Sequence, residues 1–373
     1  LPRLTGERHA HYRKLIGVPL RRGNVDALST RIAKLTDDEV ATWPVGAAID
    51  LWDFIRRLMQ RLSVEFLFGG DSEESRAIAE LSGAMMVHKW GPVAQALPLN
   101  LPITPYGKIV RAAEDLERRI LQWAAAKRGQ PNERDLASII VNSPGPDGKA
   151  ADDATIVAHI SSLFALSSEG SQSALWWTLI LLAQHPRAAA ILRDELRGRL
   201  GETSPALEKA GELSYLDAVV KESMRILPPV PLQIRVAQCD TTIAGTTLPE
   251  RTRIMLNTFL TNRMPDLYAE ADTFRPERWS TIEPNPFEYP VFSAGPHLCS
   301  GYWFGSAVVK IALAAILARF RLELAPSTRI DYRTQPTLRP RQRVDVLLRP
   351  ADSGAQSAIS LTGNIRDLVA VAP

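Results

Sequence analysis

Apolar residues recur at three- and four-residue spacing through the first 125 or so positions. "NVDALSTRIAKLTDDEVATW", "AIDLWDFIRRLMQRLSVEFLFGG" and "KIVRAAEDLERRILQWAAAKR" each read as amphipathic helices. "GPVAQALPLNLPITPYG", before the third of them, reads as a proline-rich apolar loop, and "NSPGPDGKAADD" as a turn-rich connector with aspartates placed to cap the next helix. Residues 153–184 form a long, mostly apolar stretch that predicts one helix ended by His185-Pro186, and "PRAAAILRDELRGRL" predicts another. "LSYLDAVVKESMRILPPVP" reads as two short helices ended by prolines. The texture then turns strand-like in "QIRVAQ", "TTIAGTTL" and "RIMLNTF". An irregular Pro- and Arg-rich segment leads to the helix "SAVVKIALAAILARF" and two terminal strands, "RLELAP" and "RVDVLLRP". These elements predict a mainly α protein with small β-sheets (α+β) in one domain over 1–373. It divides into a helix-rich part (1–228), a β-containing part (229–350) and an irregular tail (351–373).

One stretch breaks the pattern. "LFALSSEGSQSALWW" carries Ser-Ser-Glu-Gly-Ser through the middle of an apolar helix. A glycine there costs about 1 kcal/mol relative to alanine, and a buried carboxylate needs a partner.

The 373 residues are 45% hydrophobic and 23% charged with a net charge of only +3, which suits a globular protein and disfavours nucleic-acid binding. The two cysteines, Cys239 and Cys299, form no disulfide framework, so a reducing, cytoplasmic setting is expected. No uninterrupted apolar run of about 18 residues predicts a transmembrane segment. The first residues show no signal-peptide pattern and read as though they begin inside a folded unit.

Candidate chemistry concentrates in "FSAGPHLCSG". Gly295 and Gly301 permit tight turning or close approach to a flat object. Cys299, just before a long helix, is placed for its thiolate to be stabilised by free N–H groups and the positive end of the dipole. Taken alone, a single cysteine is more often a small buried apolar group.

The spacing Phe292, Gly295, His297, Cys299, Gly301 resembles the haem-binding loop of the cytochrome P-450 family, and two further motifs share the resemblance. "KESMR" resembles the family's Glu-x-x-Arg, with Glu222 and Arg225, and "FRPERW" supplies Arg278; the resemblance implies a buried network of these three bracing the haem loop. "GERHAHYRKLI" resembles the His-x-x-x-Arg helix, which implies that His9 and Arg13 bind the haem propionates, helped by Arg235 and His297. His11 falls off that face and reads as solvated; His88, His159 and His185 lack ligand-like spacing and read as structural. The resemblance covers nearly all of 5–350 but lacks the family's N-terminal helices and strands.

The resemblance implies haem b (iron protoporphyrin IX) with an axial thiolate from Cys299, and monooxygenation of a small hydrophobic molecule, as in secondary metabolism, with O2. It implies electrons from a separate ferredoxin or flavoprotein, since no Gly-x-Gly-x-x-Gly motif or Cys-rich cluster loop is present. A monomer is expected. Residues 153–184 resemble the helix that crosses the distal face of the haem, and Glu169 falls on its acid position. Gly170 stands where the family carries threonine; Ser171 points about 100° further round, and Ser167 lies one turn before it. Substrate hydroxyl or water in place of the missing alcohol, a peroxide-dependent or otherwise atypical reaction, and a register shifted by one residue all fit. A non-catalytic haem-binding protein is the remaining alternative. The apolar stretch from Met85 to Pro105 falls over the pocket mouth in the resemblance, or is core between helices.

Overall fold

The computed structural model describes residues 4–89, 92–130, 135–201, 207–334, 337–354 and 359–370. In chain order the helices are α1 (Gly6–Gly17), α2 (Arg22–Val40), α3 (Leu51–Phe68), α4 (Glu73–Lys89), α5 (Pro92–Ala96), α6 (Pro105–Lys127), α7 (Leu136–Asn142) and α8 (Asp153–Gln184). α9 (Pro186–Leu200), α10 (Ser214–Ile226), α11 (Thr258–Thr261) and α12 (Tyr302–Arg319) complete the set. Local chemistry sets their starts. Asp50, Thr104, Asp135 and Asp152 each accept from an N–H in the first turn of α3, α6, α7 and α8, at 3.1, 3.0, 2.6 and 2.7 Å. α3 stops at Gly69, whose φ of +69° is the left-handed conformation that glycine adopts freely.

Two expectations are corrected by these elements. α5 forms inside the stretch read as loop, and 213–231 holds one helix, α10, rather than two. Pro228 and Pro229 end α10, while the expected first helix is its own N-terminal half, entered from a 3-10 turn at Leu207–Glu212.

α8 runs unbroken through the polar run, at the centre of the core, with Trp176 and Trp177 fully buried. Several of its polar side chains are matched to neighbours. Ser167 Oγ donates to Ser63 Oγ on α3 (2.9 Å), Ser168 Oγ to its own helix at Phe164 O (3.2 Å), and Gln172 Nε2 to Trp52 O (3.1 Å). Ser173 Oγ and Trp177 Nε1 both donate to Leu338 O, at 2.5 and 3.0 Å, and Thr178 Oγ1 reaches Ser223 Oγ on α10 at 2.8 Å. The run therefore docks α8 onto three other parts of the chain, with its desolvation offset by hydrogen bonds.

Among the described residues, the named strands pair antiparallel. β1 (Ala48–Asp50), β2 (Leu232–Val236), β3 (Thr241–Ile243), β4 (Thr246–Leu248) and β5 (Arg253–Asn257) precede β6 (Phe320–Leu324), β7 (Tyr332–Thr334), β8 (Leu338–Pro340) and β9 (Asp345–Pro350). The order β1-β9-β6 makes one sheet, and β2·β5, β3·β4 and β7·β8 are two-stranded. Ala244 and Gly245, at φ +48° and +80°, turn the β3–β4 hairpin. The tail folds back: Leu361, Ile365 and Val369 are buried, and Ile330 N–H donates to Thr362 O at 2.9 Å. Among the described residues, only α12 is long and apolar enough to cross a membrane, and its 311–317 segment lies in the core.

One buried carboxylate ties α10 to the irregular segment beyond α11. Glu222 is 0% exposed and accepts five hydrogen bonds. Arg225 Nε and Nη2, Arg278 Nε and the Arg275 backbone N–H donate at 2.9 Å, and Trp279 Nε1 at 3.0 Å. The remaining guanidinium donors go to carbonyls: Arg225 to Asn262, Arg278 to Ala269 and Glu270.

Among the histidines read as structural, His185 Nδ1 meets Leu181 O at 2.7 Å, and the side chain of His88 lies outside the described residues. His11, expected to be solvated, contacts Pro144 O at 3.0 Å. His159 packs on Tyr12 with ring centroids 4.2 Å apart, and burial, with a smaller contribution from Arg8, pushes its pKa down from 6.5 to about 4.

Two outcomes are expected. Glu222→Gln leaves two buried arginines without their counter-charge, and unfolding titrations should show a loss of about 3–5 kcal/mol or failure to fold; a loss under ~1 kcal/mol contradicts the brace. For His159, the unfolded chain takes up a proton below pH 6.5 that the folded chain refuses until about pH 4. Stability should therefore fall by roughly 2 kcal/mol across that window as pH drops, after a discount for solvent screening. Thermal melts of His159→Phe should show a flatter pH dependence there; an unchanged slope refutes the assignment.

Candidate active site

Residues 290–301 double back to present a thiol at the start of α12. Cys299 N–H donates to Phe292 O at 2.7 Å, and Leu298 N–H to Gly295 O at 3.0 Å. The reversal needs left-handed backbone at Ser293 and Gly295, φ +62° and +63°. Phe292 packs edge-on to Tyr302, centroids 4.7 Å apart. Gly301 caps α12 and turns its N–H to the Cys299 sulfur.

The thiol is exposed at the mouth of the loop yet crowded by protein around it. Burial pushes its pKa up, and the Gly301 N–H and the Arg13 charge only partly oppose this. The thiolate stabilisation expected from the helix start is therefore outweighed by desolvation in the bare chain. A cation at the sulfur would supply the missing charge.

Next to the thiol, three segments converge. His9 and Arg13 come from α1, Arg235 from β2 and His297 from the loop. The rings of His9 and His297 lie 4.5 Å apart. Burial, His9, Arg235 and Arg13 together hold His297 below the usual imidazole pKa. Arg235 makes only long contacts, 3.2–3.5 Å, to Ile234 O, Gln233 Oε1 and Ser293 Oγ. Among the described residues, none of the four has a carboxylate partner, although the chain carries 41 acids. So much basic character without counter-charge suits an anion, and two propionates beside a thiol-bound iron match it in type and number. The residues fit haem.

α8 packs against α12, the helix that follows the thiol. Leu166 is 58% exposed, just before the buried second half of the helix, and one turn on, a Cβ added at Gly170 would meet nothing within 4 Å. The stripe through Leu166 and Gly170 faces open space, and Glu169 beside it is half-buried. Ser171 is buried against α12, its Oγ 3.6 Å from where a Gly305 Cβ would sit, and Ser167 is held by Ser63. The structure thus brings Cys299, His9, Arg13, Arg235 and His297 together, and separates Glu169 and Gly170 from the two serines, which sit in helix interfaces. Sequence reasoning missed Ser63, Gly305, Trp279 and the Arg275 N–H. Only Trp279, adjacent to Arg278, carried a local signal.

The cytochrome P450 family model matches residues 4–348. Cyclooctat-9-en-7-ol 5-monooxygenase of Streptomyces melanosporofaciens is 26% identical over 333 residues, 87% of this chain and 72% of that one. Germacrene A hydroxylase of Barnadesia spinosa is 27% identical over 307 residues, 79% of this chain and 62% of that one. Among solved structures, retinoic acid-bound cyanobacterial CYP120A1 superposes with TM-score 0.80 at 22% identity, covering 93% of this chain and 80% of the other. A mutant of P450 EryK with erythromycin B gives TM-score 0.72 at 23% identity, covering 95% and 82%. Two structural likenesses over nearly the whole chain agree with a family match that spans the thiol loop, the brace and the long helix: the chain belongs to the cytochrome P450 family, the haem-thiolate monooxygenases.

Proposed function

We propose that this P450 hydroxylates a hydrophobic, ring-containing small molecule, with haem b bound through Cys299 and its propionates held by His9, Arg13, Arg235 and His297. The observation that carries the proposal is the cluster of four basic side chains without a carboxylate, beside the one thiol that opens at a helix start. Bound haem supplies the oxygen activation, with electron density donated by the thiolate.

The chain's own residues do the rest. Arg13 and Arg235 neutralise the propionates through charge-assisted hydrogen bonds. Phe292 and Tyr302 would shield the sulfur from water, and Gly295 and Gly301, with no side chains, would let a flat cofactor approach the loop. Glu169, half-buried beside the open stripe, holds and releases a proton. Gly170 leaves room for a substrate hydroxyl or a water where a threonine side chain would stand. Ser171 and Ser167 fix the helix around that gap. An apolar substrate is supported by Leu166 and by the exposed Leu97, Leu99, Leu101 and Ile103 before α6. The names of two relatives, which act on a cyclic alkenol and on germacrene A, point the same way. Electrons come from a separate ferredoxin or flavoprotein, and the two free thiols suit the cytoplasm. A monomer suffices for each of these roles. Peroxide-driven turnover is the second reading, favoured by the missing hydroxyl at Gly170.

Two experiments test these readings. Native protein, reduced under CO, should show the red-shifted band of thiolate-bound haem, and Cys299→Ser should lose it; a retained band overturns the ligand assignment. Gly170→Thr should fold at least as well as native, since threonine is a better helix residue by a few tenths of a kcal/mol (about 0.3) and the space is open. It should raise KM or lower donor-driven turnover several-fold by filling the gap. Improved donor-driven turnover with reduced peroxide use would favour the peroxide reading instead.

A further inference from the structure

We propose that Arg339 on β8 is a positioning residue for Glu169, holding the carboxylate at the side of α8 from which it turns toward the cleft. The proposal rests on the reading of Glu169 as the distal acid.

Glu169, Ser173 and Trp177 succeed one another at four-residue spacing and so lie on one stripe of α8. Ser173 Oγ and Trp177 Nε1 both donate to Leu338 O, at 2.5 and 3.0 Å. From the other side, Leu338 N–H donates to Pro229 O at 2.8 Å, just past α10. β8 is therefore clamped at the residue before Arg339, with the stripe that carries Glu169 lying on it.

Arg339 itself is an expensive group to place there. It is 9% exposed, its Nε has no hydrogen-bond partner among the described residues, and the β7–β8 register puts Arg333 directly across from it. A buried guanidinium facing a like charge needs an anion nearby. Between Asp153 at its start and Gln184 at its end, α8 has one carboxylate, Glu169. Burial and Arg333 both disfavour the charged form of Arg339, and Glu169 is the group that favours it. Glu169, next to the open stripe, is thus also the carboxylate whose charge favours that of the base clamped against its own stripe. Charge on Arg339 attracts the carboxylate and so restricts where it points.

The test is a double-mutant cycle in the haem-loaded protein with Glu169→Gln, Arg339→Met, the double variant and Arg339→Lys. It reads melting temperature, product formed per NADPH consumed with a ferredoxin and its reductase, and the solvent isotope effect on kcat. Arg339→Met should lower the melting temperature more in the native background than in the Glu169→Gln background, by about 1 °C or more. In the native background it should cut product per NADPH at least threefold with KM little changed and raise the solvent isotope effect; in the Glu169→Gln background it should do neither. Arg339→Lys should restore most of both. Additive melting shifts, or equal losses of yield in the two backgrounds, overturn the proposal. In that case a lowered yield in Glu169→Gln alone still supports the acid itself. Non-additive melting with full yield in Glu169→Gln overturns the acid, and the positioning role with it, and leaves a structural ion pair. If Arg339→Met does not fold, Arg339→Lys takes its place in the cycle: it keeps the charge and loses the fork, so a smaller non-additive shift of the same sign is expected and additivity again overturns the proposal.

Discussion

Glu222 has no contact with water, and everything between α11 and the thiol loop takes its shape from that fact. The segment from 262 to 299 has no long element of its own. Its course is set by two guanidinium groups that the carboxylate anchors and that in turn bind the carbonyls of Asn262, Ala269 and Glu270. Two buried positive charges against one negative leave a surplus, which those carbonyl dipoles accommodate. Such an arrangement fixes geometry better than it adds stability, because the cost of drying three charges offsets most of their attraction. The geometry passes onward: Trp279 packs on Tyr289 at 5.0 Å, Tyr289 Oη donates to Lys221 O on α10, and Tyr268 Oη donates to Glu288 O. The thiol loop begins at the next residues.

α8 solves the same problem with neutral groups. A 32-residue helix at the centre of a core could slide or rotate if it were uniformly apolar. Ser167, Gln172, Ser173 and Thr178 give it fixed partners on α3, β8 and α10, and these fix its register. The glycine's cost in helix propensity and the carboxylate's cost in burial are local, and the partners that offset them lie elsewhere.

Helix positions were legible because burial on one face leaves a 3.6-residue signature, and the Cys299 loop and Glu222–Arg225 pair because their spacing is local. β1 was not legible: three residues before α3 pair with β9 nearly 300 positions away, and nothing in "AID" announces it. The expected split of 213–231 into two helices fails because α10 runs unbroken from Ser214 to Ile226, and only its end is marked by the prolines. The raised thiol pKa was also hidden, since a helix start is visible in sequence while the crowding that outweighs it is not. Arg339 carries no motif at all. Its significance arises only when β8 is laid along α8.

The most direct measurement is the crystal structure of the haem-loaded protein. The iron is expected to be bonded to Cys299 Sγ, with both propionates among His9, Arg13, Arg235 and His297. Iron bound to any other side chain, or propionates directed away from those four, would contradict the assignment of the site.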